Sequence, residues 1–198
     1  MRITKDFDGL KIIENGDYVI VGDLLSDEDI EIALDERLLV TGSIVSKKSI
    51  VAKLGIKAGR GINAGLDIEV GCCIEAGDSI EAGWGINAGE GIEAGKGIEA
   101  GCGIKAGFCI NAGWGIEAGE GINAGWDINA GWGIEAGEGI NAGWGINAGW
   151  GINCGKRIFA GICIYNSGDD CDKTIRCAEL INGEIAYGEL IIREKKED

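Results

Sequence analysis

The chain contains no histidine and no proline. Without histidine it lacks the side chain most used as a proton shuttle near neutral pH and as a metal ligand. Without proline it has no X-Pro turns and no polyproline segments. Basic residues are also scarce: 18 Lys and Arg stand against 33 Asp and Glu, a net charge of −15. Ordinary nucleic-acid binding relies on cations that neutralise phosphates, so direct binding to nucleic acid is not expected. Long apolar runs are missing as well. The opening MRITKDFDGLKIIENGDYVIV carries charges throughout, and no stretch has the length of a signal peptide or a membrane span. The expectation is a cytoplasmic protein without membrane contact, whose eight cysteines are reduced.

What is abundant is glycine, with 37 residues, and it is periodic. The stretch GWGIEAGEGINAGW shows the unit: Ile, a polar residue, Ala, Gly, a variable residue, Gly. An aliphatic residue recurs every six positions from Ile32 to Ile164, which makes 23 units. Large and small residues two positions apart point to one side of a strand, and the polar residue between them points to the other. The Gly-x-Gly that follows is expected to bend the chain with positive φ. Each unit therefore reads as a short strand and a corner.

The variable slot sets the size of the coil. Trp114, Trp132 and Trp150 are 18 apart, as are Trp126 and Trp144, and Glu120 and Glu138. In the polar slot Glu81, Glu99, Glu117 and Glu135 share that spacing, and so do Asn111, Asn129 and Asn147. Three six-residue sides then make one triangular coil, and like residues stack. The fold class predicted is all-β: a single parallel β-solenoid with 18 residues per coil and about 7 coils, roughly 35 Å long. Residues 1–31 read as an N-terminal cap, with apolar runs Leu10–Ile13 and Tyr18–Val21 joined by a hairpin signal at Glu14–Asp17. Residues 165–198 lose the repeat and read as a C-terminal cap. Short strands are predicted at Ile175–Ile181, Glu184–Tyr187 and Glu189–Arg193, followed by a charged tail.

The six-residue period is shared with the hexapeptide acyltransferase β-helices. In that family the small inward residue precedes the large one by two positions, whereas Ala88 follows Ile86 and Ala94 follows Ile92. The family's chemistry depends on a catalytic histidine, which this chain lacks. Leu38-Leu39-Val40-Thr41-Gly42-Ser43 and Ile56-Lys57-Ala58-Gly59 resemble instead the pattern of bactofilins, three-sided right-handed β-helices that polymerise end to end without nucleotide. That resemblance covers about two-thirds of the chain and implies a self-assembling structural scaffold.

Four constellations are candidates for function. Glu81, Glu99, Glu117 and Glu135, with Glu120 and Glu138 in the variable slot, form an acidic strip. Its carboxylates are one coil apart, at ~4.8 Å, and repel one another. Trp114, Trp132 and Trp150 form one aromatic column, and Phe108, Trp126 and Trp144 another, each expected outside the narrow core. Asn111, Asn129 and Asn147, like Asn123 and Asn141, form amide ladders. Finally, residues 32–60 hold six bases and two acids, net +4, whereas residues 61–150 hold two bases and thirteen acids, net −11.

The cysteines point to no chemistry. Cys73, Cys109 and Cys163 share a column but lie two and three coils apart, about 10 Å or more, beyond disulfide reach. The others show no CxxC spacing, and Cys154 takes an Ala slot as core packing. No cofactor or metal is expected. Ice binding would need rows of Thr, which the repeats lack.

These observations predict a non-catalytic binding protein. Its rigid acidic rod would engage a basic protein surface, such as that of a nucleic-acid enzyme, in the manner of nucleic-acid-mimicking or phage-type anti-defence inhibitors. The competing expectation is the bactofilin-like scaffold, which would form homo-oligomers through its ends.

Overall fold

The computed structural model describes residues 1–166, 174–177, 179–187 and 189–192, with side chains to Gly161 and at Ile164. Every regular element among these residues is a strand, and most are three residues long. The strands stack in parallel into a three-sided solenoid of about eight turns. One face stacks Ile74-Glu75-Ala76, Ile92-Glu93-Ala94, Ile110-Asn111-Ala112, Ile128-Asn129-Ala130 and Ile146-Asn147-Ala148; it is called the asparagine face here. A second, the glutamate face, stacks the strands that begin at Ile62, Ile80, Ile98, Ile116, Ile134 and Ile152. The third face carries Glu69, Asn87, Lys105, Asn123 and Asn141 outward. All these registers are 18 residues apart, as the period predicts.

The triangular section follows from the alternation of side chains. Isoleucines and alanines turn inward and are buried, with Ile98, Ile116 and Ile134 each 1 % exposed. The polar residue between them faces out. Cys154 fills an alanine slot opposite Ala136 and is buried. The corners are hydrogen-bonded too: Trp132 N–H donates to the Trp114 carbonyl at 3.0 Å and Gly131 N–H to the Ala112 carbonyl at 3.1 Å.

The corner glycines of the six-residue repeats, from Gly59 onward, do not have the expected positive φ. Among the described residues only Gly9, Gly16 and Gly22 adopt it. The first corner glycine is needed for close approach instead. A Cβ on Gly119 would stand 2.0 Å from the Gly101 carbonyl oxygen one coil below, and Gly113, Gly125 and Gly131 are placed alike. The second corner position is roomier. A Cβ on Gly97 would meet only the Gly115 oxygen, at 3.6 Å. This explains why Asp67, Cys73, Ser79, Cys109, Asp127 and Arg157 replace the second glycine, while every first corner residue from Gly59 to Gly161 is glycine.

The solenoid starts at Tyr18 rather than at residue 32. Tyr18–Ile20, Leu24–Ser26 and Ile30–Ile32 form a first coil paired with Leu38, Ile44 and Ile50. These registers are 20 apart, because Ile30 and Leu38 are eight residues apart instead of six. Ile32 therefore takes the small inward slot, opposite Ala52, and the unbroken six-residue phase begins at Leu38. The extra residues are held by polar bonds. Asp35 accepts from Tyr18 Oη at 2.9 Å and Lys5 Nζ at 2.7 Å, and Arg37 bridges Asp17 and Glu75, each at 3.1 Å.

Ahead of this coil, Leu10–Ile12 pairs antiparallel with Tyr18–Ile20, the hairpin signalled by Asn15-Gly16. Arg2–Ile3 adds a parallel strand beside Ile30–Ile32. At the other end one long strand, Arg157–Asn166, runs through a corner and serves two faces. Thr174–Cys177, Glu179–Tyr187 and Glu189–Ile192 continue the parallel stacking, with registers that depart from 18: Ile152 faces Ile175 and Ile175 faces Leu190. The strand predicted at Ile175–Ile181 is thus divided between two elements. The predicted charged tail, 193–198, lies outside the described residues.

Candidate functional site

The glutamate column forms as the spacing predicts. Glu81 faces Glu99, Glu99 faces Glu117, and Glu117 faces Glu135. Like charges directly opposite one another on adjacent strands are destabilising. At the ends of the column asparagines relieve this: Asn63 donates to Glu81 and Asn153 to Glu135, both at 2.9 Å. Glu99 and Glu117 have no hydrogen-bond or ion-pair partner among the described residues.

Beside this column runs the Trp114–Trp132–Trp150 stack, on the corner between the asparagine and glutamate faces. Its ring centroids are 5.2 Å apart at both steps, with interplanar angles of 4° and 8°. The ladder has a charged foot. Lys96 Nζ lies 5.6 Å from the Trp114 ring centroid and pairs with Asp78 at 2.8 Å. Column arithmetic on residues 78, 96 and 114 exposes this series in the sequence, although the aromatic reading alone passes over it.

The indoles and the carboxylates line one groove of about 470 Å³, with Gly97, Gly115, Gly133 and Gly151 along its floor. The surface is therefore not the smooth rod that a periodic sequence suggests. Trp114, Trp132 and Trp150 are 46 %, 46 % and 47 % exposed, so each ring is about half open along the groove. Because the rings are nearly parallel and in contact, their faces cover one another and the groove receives their edges.

The other candidates lie elsewhere. Glu120 and Glu138 occupy the opposite corner of the glutamate face, where Glu138 pairs with Lys156. Trp84 is on that same corner, 57 % exposed and without a stacked aromatic neighbour among the described residues. Trp126 and Trp144 stack with Phe108 on the third corner, with centroids 4.8 and 5.4 Å apart. The asparagine ladder is bonded, Asn129 Nδ2 donating to Asn111 Oδ1 at 2.9 Å. The structure thus joins Glu81, Glu99, Glu117 and Glu135 with Trp114, Trp132 and Trp150, and separates them from Glu120, Glu138, Trp126 and Trp144.

The basic end of the charge segregation is partly offset in space, whereas residues 61–150 keep their excess of acids. Three of the six basic residues of 32–60 stack on acids of the first coil: Lys47 pairs with Asp27 at 2.8 Å, Lys48 with Glu28, and Arg37 with Asp17. Lys57 pairs with Glu75 at 2.6 Å. These contacts hold the Lys47, Lys48 and Arg37 cations above their ordinary pKa, chiefly through the hydrogen bond each makes to its carboxylate. Cys73, half-buried beside this network, donates to Glu90 Oε2 at 3.1 Å, and burial first of all pushes its thiol pKa up. It is not an activated thiolate. No group of three or more metal-ligating side chains occurs among the described residues.

Comparison with family models, curated proteins and solved structures finds no match to this chain. The β-solenoid stands on its own geometry. The bactofilin and hexapeptide patterns remain resemblances of period.

Proposed function

We propose that this protein is a non-catalytic binding module whose glutamate–tryptophan groove engages a basic protein partner. One observation carries the reading. Cations pair with acids along the rod, at Lys57–Glu75, Lys96–Asp78 and Lys156–Glu138, yet the central carboxylates Glu99 and Glu117 stand unpaired beside an exposed indole ladder. Unneutralised charge of one sign steers a partner of the other sign, and half-exposed indoles provide apolar contact area. The array is sparser than a nucleic acid. A duplex carries a charge every ~1.7 Å of axis, and this column carries one about every 4.8 Å. A basic polypeptide therefore fits the groove better than imitation of a duplex explains it.

The test is titration with poly-L-lysine across salt, followed by tryptophan fluorescence, for the native chain and for Glu99→Gln/Glu117→Gln/Glu135→Gln. The native chain is expected to bind and the triple variant to fold but lose binding. Equal affinity of the two overturns the reading.

A scaffold is the second reading, favoured by one feature. The sheet of the glutamate face ends at Leu24–Ser26, with no strand beyond it among the described residues. Such an open edge can receive another strand. Sedimentation across protein concentration separates the two: a single species of 20.6 kDa supports the module, and growing filaments support the scaffold.

A further inference from the structure

The corners contain a set of partly exposed N–H donors for which no protein group among the described residues is an acceptor. The first corner glycine and the variable residue donate to carbonyls one coil below, as Gly119 does to Ala100 at 3.1 Å and Glu120 to Cys102 at 2.8 Å. The second corner N–H has no backbone acceptor in these bonds. Where the residue one coil below is aspartate, its carboxylate accepts instead: Asp67 from Gly85 N–H and Asp127 from Gly145 N–H, both at 2.9 Å. Asp23 does the same for Ser43 N–H at 2.7 Å. On the floor of the glutamate–tryptophan groove the corresponding positions are glycines. The N–H groups of Gly115, Gly133 and Gly151 have no acceptor among the described residues. The space that an aspartate would fill is open, since a Cβ on Gly115 meets only the Gly133 oxygen, at 3.4 Å.

The groove therefore makes two opposite demands. Its wall of carboxylates asks for cations, and its half-buried floor asks for hydrogen-bond acceptors. Resting on the reading of this groove as the binding surface, we infer that its occupant is an extended Lys/Arg-rich polypeptide segment, whose main-chain carbonyls accept from the floor glycines while its side chains reach Glu99 and Glu117. A polyamine offers only donors and leaves the floor unmet. A helix uses its own carbonyls internally. A nucleic acid supplies acceptors but brings phosphates against the glutamates. An extended basic chain answers both walls, and its aliphatic stems cover the indole edges.

The test compares a decalysine peptide with spermine on the full chain, in Gly115→Asp/Gly133→Asp. This double variant places on the floor the acceptor already used at Asp67 and Asp127 and adds two negative charges. Decalysine affinity is expected to fall about tenfold, two lost hydrogen bonds of roughly 0.7 kcal/mol each, while spermine affinity holds or rises. Gly103→Asp/Gly121→Asp, with the same added charge on another corner, is expected not to weaken decalysine. If Gly115→Asp/Gly133→Asp binds both ligands more tightly, binding follows net charge and the inference falls. Amide exchange of the native chain gives a second reading. Decalysine should protect the Gly133 and Gly151 N–H groups, the two that the aspartates would occupy, and spermine should not. Decalysine binding without that protection overturns the extended-chain inference alone. No binding of decalysine by the native chain overturns the basic-partner reading with it.

Discussion

The two corner glycines look alike in the repeat, yet they should respond very differently to a single methyl group. In Gly119→Ala the new Cβ falls 2.0 Å from the Gly101 oxygen and 3.0 Å from its carbonyl carbon. Both are backbone atoms, so no side chain can swing away. Relief requires the coils to separate by more than about 1 Å at that corner, against a normal carbon–oxygen contact of ~3.3 Å. Separation strains the bonds from Gly119 to Ala100 and from Glu120 to Cys102. Overpacking of this kind costs about 1–3 kcal/mol, and two weakened hydrogen bonds add ~1 kcal/mol each. The reduced freedom of the unfolded chain returns about 0.4–1 kcal/mol. The expected net loss is about 3 kcal/mol. In Gly97→Ala the Cβ meets only one oxygen, at 3.6 Å, and the unfolded-state gain dominates. That variant should be neutral or up to ~1 kcal/mol more stable. Urea unfolding followed by circular dichroism measures both, and hydrogen exchange shows whether the loss is confined to neighbouring coils, as expected in a stacked array. Equal effects of the two substitutions would refute the close-approach argument.

Trp132→Ala removes two stacked pairs, each worth about 0.5–1.5 kcal/mol, so thermal unfolding should show a loss of ~1–3 kcal/mol, and the near-ultraviolet circular dichroism should weaken while keeping the signal of the Trp126–Trp144 pair. Glu117→Gln relieves repulsion from both neighbours and should stabilise the fold by ~0.2–1 kcal/mol, more at low salt than at high; a destabilised variant would contradict the unpaired column. Asp127→Ala should speed amide exchange at Gly145 and leave Gly143, bonded to Ala124, unchanged. Asp35 is held below its ordinary carboxylate pKa of 3.8, first by the hydrogen bond from Lys5 and then by that from Tyr18. Its contribution is present above that ordinary value and is lost as pH falls through the lowered one. Asp35→Asn, which cannot titrate, should therefore show weaker protection of the Tyr18–Ile20 amides near neutral pH and lack the acid-dependent loss that the native chain shows below that ordinary value; identical acid profiles would refute the role given to Asp35.

Everything that depends on period is legible in the amino-acid order alone. A spacing of 18 assigns each residue to a column, because a parallel stack keeps its register from coil to coil. Glu99 over Glu117, Trp114 over Trp132 and Cys154 in an alanine slot all follow from counting. Periodicity says nothing about a residue's lean or about distances between columns. Folding in three dimensions is what makes the Trp114 ladder share a groove with the glutamates and puts the Trp126 ladder on another corner. It also decided the purpose of the first corner glycine, since approach of a carbonyl from the coil below is invisible in a single unit. The phase at Ile32 slipped for a similar reason: two extra residues before Leu38 are absorbed by Tyr18, Asp35 and Arg37, partners far apart in sequence. Four of the six basic residues of 32–60 are paired with acids because stacking, rather than chain order, sets which charges meet.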